Sequence, residues 1–149
     1  MSYEVSQQIQ NKESKMQVRN LSNYSFGGKT EFSFDDATVK VEEALKEQGF
    51  GILTQIDAKK VLKEKLDIDR RPYKILGACN PNFAHQALDF EPEIGVLLPC
   101  NVLVYENENG EIIVSAMNPE AALSLVGNPK IEEIAKEVRK RIESALGKL

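Results

Sequence analysis

At 149 residues, with 42% apolar and 28% charged side chains, the chain has the size and make-up of one globular domain. A formal net charge of -4 and a pI near 5.2 argue against a general nucleic-acid binder, which carries a basic face. No apolar run approaches the length that spans a bilayer, and the opening MSYEVSQQIQNKESKMQ lacks the apolar stretch of a secretory signal. A cytoplasmic protein is expected, with no nucleic-acid or membrane partner and with its two cysteines as reduced thiols. In chain order, residues 1–22 are polar and aperiodic and read as an arm, and residues 23–149 read as a single domain. KTEFSF alternates as a strand does. DDATVKVEEALKEQG is helical, with Asp35 or Asp36 as its cap and Val39, Val41, Ala44 and Leu45 as its apolar stripe. Gly49 can end that helix in left-handed geometry. FGILTQI is a strand, DAKKVLKEKLDI a short charged helix capped by Asp57, PYKILGAC a strand, and NPNFAHQALDF a short helix. IGVLLPCNVLVYE and GEIIVSAM are strands joined by NENG, where Asn109 and Gly110 both accept positive φ. NPEAALSLVG opens a short helix with Pro119 at its first position, and NPKIEEIAKEVRKRIESALGKL repeats that opening. In this last helix Ile131, Ile134, Ala135, Val138, Ile142 and Ala145 recur at helical spacing.

The order is strand, helix, four strands with short helices between some of them, then a long helix. Two main helices on one face of an antiparallel sheet make an α+β sandwich. The strand predicted over residues 94–105 adds a complication. Val96, Leu98, Cys100, Val102 and Val104 point one way from it, while Leu97, Leu103 and Tyr105 point the other way with Pro99 and Asn101. A half-exposed strand shows polar residues on one side. Here both sides are largely apolar, so the short helices or a second subunit must cover the second face. A homodimer or higher homo-oligomer is the expected assembly.

Several uncommon words of the chain resemble one family. GFGILTQID, RPYKILGACNP, AHQAL, GVLLPCNVLVYE and NPEAALSLVGNP occur in the order and spacing of the bacterial and archaeal domain of unknown function 302. The resemblance spans roughly residues 26–146 and leaves out the arm. It implies a strand–helix–four strands–helix fold of the TATA-binding-protein-like class. It carries no established biochemical activity.

The residues that could do chemistry gather around residues 71–101. Asn80 is a good helix cap and Pro81 a good first helical residue, so Cys79 precedes a helix N-terminus, where partial positive charge favours a thiolate. Cys79, His85 and Cys100 are soft and borderline ligands that suit zinc, yet their spacing matches no zinc motif. The alternative is two small buried thiols and a solvated histidine. The helix N-terminus could also receive an anion, with Arg70, Arg71 and Lys74 upstream adding charge; otherwise those charges are simply solvated. Asn101, next to Pro99 in an apolar strand, suggests a bulge that either aims an amide into a pocket or ends the pairing.

A glycine-rich phosphate loop, a G-x-S-x-G elbow and an H-E-x-x-H pair are all missing from the sequence. Two readings follow. One is a small-ligand-binding or self-associating module without cofactor or metal, its candidate ligand-binding residues being Cys79, Asn80, His85, Cys100, Asn101 and Arg71. The other is a thiol- or metal-dependent enzyme using Cys79 with His85 and Cys100. The first is preferred, because no complete catalytic set is legible.

Overall fold

The computed structural model describes residues 16–149, and the part of the expected arm over residues 1–15 lies outside them. Its strands are β1 (Arg19–Asn20), β2 (Ser25–Thr30), β3 (Gly51–Asp57), β4 (Tyr73–Cys79), β5 (Cys100–Glu106) and β6 (Ile112–Met117). Its α-helices are α1 (Phe34–Glu47), α2 (Ala58–Leu66), α3 (Pro81–Phe90), α4 (Pro119–Ala122) and α5 (Pro129–Leu146), with 3-10 turns at Pro92–Leu97 and Leu123–Val126. The strands form one sheet in the order β1-β2-β6-β5-β4-β3, with every neighbouring pair antiparallel. The expected α+β class and the strand–helix–four strands–helix order are both present, with β1 as an additional edge strand. Among the described residues, no helix is long and apolar enough to cross a membrane.

One face of the sheet carries the core. Phe26, Val114, Ala116, Val102, Val104, Leu76 and Ala78 are buried there under α1 and α5. The α5 stripe lands as its spacing predicts: Ile131, Ile134, Ala135, Val138, Ile142 and Ala145 are all buried. The Arg139 guanidinium lies 4.4 Å from the Phe26 ring centroid and closes the helix over that side chain. In α1, Val41, Ala44 and Leu45 are buried, but Val39 is 55% exposed because Thr38 takes the inward position at i, i+3 from Val41.

Four local expectations are corrected. Ser33, not Asp35 or Asp36, caps α1, and its hydroxyl accepts the Asp36 N–H at 3.2 Å. The first long strand is Ser25–Thr30, which shares only Lys29 and Thr30 with KTEFSF, and its glycines explain why propensity concealed it. A Cβ on Gly27 would stand 2.0 Å from the Val114 carbonyl oxygen, and one on Gly28 would stand 2.4 Å from the Gln17 carbonyl oxygen. Ordered structure begins ahead of Asn23: β1 pairs with β2, and Met16 is 5% exposed within the core. Finally, residues 94–97 are not strand. After Pro92 the chain turns in 3-10 geometry, with Ile94 N–H bonded to the Glu91 carbonyl and Leu98 N–H to that of Gly95. Val96 is 81% exposed there, and pairing starts at Cys100. The Asn109–Gly110 turn forms with positive φ at Gly110 alone.

The second face of the sheet shows alternation that is real from Cys100 onward. Cys100, Val102 and Val104 are buried on the core side, while Leu103 and Tyr105 are half-buried on the other. Tyr105 stacks on Tyr73 across the β4–β5 pair, with ring centroids 5.2 Å apart. Burial raises the Tyr73 phenol above its ordinary value, and the neighbouring Tyr105 adds to that. Ile75 and Ile113 continue this face by register. Lys29–Glu111 at 3.1 Å and Arg71–Glu106 at 2.7 Å are ion pairs at strand ends.

Candidate functional site

The hydrogen-bonding needs of a helix start build the site. The β4 strand ends at Cys79, and Asn80 turns the chain into α3 by accepting the Phe83 N–H on its Oδ1 at 3.3 Å. Pro81 follows at the first helical position, where a missing N–H costs nothing. On the neighbouring strand Cys100 stands opposite Ala78. The two cysteines therefore reach the same end of the sheet from strands adjacent in space.

Between that sheet end and the helices lies an apolar cavity of about 340 Å³. Ala78, Cys79 and Cys100 line it from the sheet, Phe83, Ala84, Ala87 and Leu88 from α3, and Ile134 and Val138 from α5. Ile94, Gly95, Leu98 and Pro99 add the 3-10 turn and the segment before β5, and Phe50 and Leu53 the start of β3. The β3 strand shifts register between Ile52 and Thr54, a bulge beside Leu53. Among the described lining residues none is charged, and Asn80 contributes the single side-chain amide.

Both thiols are weaker acids than a free cysteine, including Cys79, whose place before a helix predicts the opposite. Burial pushes the Cys79 thiol above its ordinary value. Cys100 is 7% exposed, and burial, followed by the nearby Cys79, pushes its thiol up to about 11. Both are free thiols, and both are protonated at neutral pH.

The six sequence-derived candidates divide in two. Cys79, Asn80 and Cys100 line the cavity. His85 does not: its imidazole is 80% exposed, and its Nε2 sits 3.7 Å from Asp89 Oδ2 one turn along α3. Asn101 is exposed, pairs in register with Gly77, and is not bulged. Arg71 lies beyond the opposite end of β4, a strand about 20 Å long at its usual rise, where it bonds Glu106 at 2.7 Å. Cys79, His85 and Cys100 are thus not one site, and among the described residues no three His, Cys, Asp or Glu side chains cluster as a metal site would need. Sequence reasoning missed Phe50, Leu53 and Leu123, and it saw Ile134 and Val138 only as core. Periodicity shows that a residue faces inward, and says nothing of whether its neighbours fill the space in front of it.

A family model described as "Domain of unknown function DUF302" matches residues 27–149. The chain belongs to this family. Every residue lining the cavity of this DUF302 protein falls inside the matched region, whereas β1 and Met16 lie ahead of it. A solved structure, the crystal structure of an uncharacterized conserved protein DUF302 from Bacillus stearothermophilus, is similar at 30% identity and a TM-score of 0.78. The likeness covers 84% of this chain and 97% of that one. No curated protein matches the chain.

Proposed function

We propose that this DUF302 protein is a small-ligand-binding module and that its ligand occupies the cavity beside Cys79, Asn80 and Cys100. The observation that carries the reading is the cavity itself: about 340 Å³ of largely apolar space walled by two helices and a sheet end. That volume lies within the usual range for small-molecule pockets, which are mostly apolar with a few placed polar groups. The thiol-enzyme reading loses its support, because burial holds both thiols protonated and His85 stands apart from them. The acidic net charge and the two unpaired thiols favour a cytoplasmic setting for this single domain. N-phenyl-1-naphthylamine, a neutral dye whose emission rises in apolar surroundings, tests the proposal. One equivalent binds the native protein. Ala84→Leu, which puts three more carbons into the cavity from a half-buried helix position, weakens binding at least about tenfold with the melting temperature held or raised. Equal binding by Ala84→Leu places the dye elsewhere and refutes the site.

A second property rests on the other face of the sheet. Its stacked Tyr73 and Tyr105, with Ile75, Leu103 and Ile113 beside them, form an apolar and aromatic centre. The Lys29–Glu111 and Arg71–Glu106 pairs give it a charge-neutralised rim. An apolar, aromatic centre with a polar rim is the anatomy of a protein interface, and a two-fold axis lets one face serve both partners. The occupant we propose is a second copy of this chain. Sedimentation at micromolar concentration then shows a dimer that Leu103→Glu converts to a folded monomer. A native protein that sediments as a monomer removes this reading.

A further inference from the structure

The chemistry of the cavity wall narrows the class of ligand. We propose that the cavity takes a neutral, mainly apolar carbonyl compound, such as a ketone, ester or amide, whose oxygen accepts a hydrogen bond from Asn80 Nδ2. This deepens the ligand-binding reading above and rests on it.

Asn80 is 7% exposed. Its oxygen is committed to the Phe83 N–H, which fixes the orientation of the amide. Its Nδ2 has no hydrogen-bond partner among the described residues, so a donor remains at the wall of an otherwise apolar space. The backbone leaves room for that amide. A Cβ on Gly49, which sits at φ 87, would stand 3.0 Å from Nδ2. No fully buried side-chain polar atom among the described residues lacks a partner, so the unbonded Nδ2 keeps a small accessible surface through which it can donate to a ligand oxygen.

The same wall selects against charge. An ionised carboxylate here would leave water without a counter-charge, since no charged side chain lines the cavity among the described residues. On α5, Arg141 lies over the Phe83 ring at 4.9 Å and is already engaged by Glu137 at 3.2 Å. The protonated thiols of Cys79 and Cys100 behave as small polarisable apolar groups and pack against a hydrocarbon body. At about 30 Å³ for each water, the space holds the equivalent of about eleven waters, which suits a molecule of about ten to fifteen non-hydrogen atoms.

Three competitors of one shape decide the matter by displacement of N-phenyl-1-naphthylamine: butyrophenone, butylbenzene and 4-phenylbutyrate. Asn80→Ser keeps an oxygen to cap α3 and withdraws the amide. In the native protein, butyrophenone gains on butylbenzene by about threefold to tenfold relative to the same ratio in Asn80→Ser. The carboxylate competes less well than either. Each competitor is referred to the dye affinity measured for the same protein, and a dye that fails to bind the native protein refutes the cavity reading and this inference with it. Dye that binds while the ketone shows no advantage lost in Asn80→Ser refutes the inference alone. A carboxylate that competes as well as the ketone overturns the requirement for a neutral ligand.

Discussion

Met16→Ala lowers the melting temperature by roughly 6–12 °C, and deleting residues 1–21 lowers it at least as much. Met16 is 5% exposed and belongs to the core cluster, with Val18 packed against that cluster. Truncating a buried methionine to alanine costs about 2–5 kcal/mol, through lost burial and the void left behind. In a protein of this size each kcal/mol moves the midpoint by about 2–4 °C, so about 3 kcal/mol gives the stated range. The deletion also removes the β1–β2 pairing and the Arg139 to Asn20 hydrogen bond of 3.1 Å, which adds little because it is exposed. Gly28 supplies an independent check. Its missing Cβ is what lets the Gln17 carbonyl approach, so Gly28→Ala pushes the same segment off the sheet. Met16→Leu conserves volume and stays near native stability. Thermal unfolding of these four proteins suffices, and a shift under about 2 °C for Met16→Ala would mean that the segment contributes no core packing.

The same residues show what was legible in the sequence. Elements announced by a cap and a clean period were readable. Asn80–Pro81, Asn118–Pro119 and Asn128–Pro129 each open a helix, and the α5 stripe buries as spaced. The strand Ser25–Thr30 was not, because two of its residues are glycines that packing demands and strand propensity penalises. The turn at Pro92–Leu97 reads as strand by its apolar content, yet its backbone hydrogen bonds run locally to Glu91 and Gly95. Of the site, the Cys79–Asn80 step and Cys100 were found, since a cap and two thiols are visible in one dimension. The cavity was not, since Ile134 and Val138 reach it from some fifty residues further along the chain. The sign of the Cys79 shift was also missed. A helix N-terminus is legible in sequence, whereas the burial that raises the thiol belongs to the fold.

Between pH 8 and 11 the stability of the native protein falls relative to that of Cys100→Ala by roughly 2–3 kcal/mol. Burial raises the Cys100 thiol from its ordinary 9.0 to about 11. Below pH 9 the thiol is protonated in both folded and unfolded chains, and its full contribution to stability is present. From 9 to 11 the unfolded chain loses this proton while the folded chain keeps it, so the unfolded state binds fewer protons and stability declines with rising pH. Above about 11 both forms are ionised and the decline stops. Two pKa units at about 1.4 kcal/mol each set the magnitude. Tyr73, Lys29 and Lys63 are also raised, but they are common to both proteins and cancel in the difference. Cys100→Ala removes the titrating group where the side chain borders the cavity, so the variant should remain folded for the comparison. Urea unfolding at five pH values measures the gap. A gap that stays constant from pH 8 to 11 would show that water or a nearby cation stabilises the Cys100 thiolate, and would return a reactive thiol to the site.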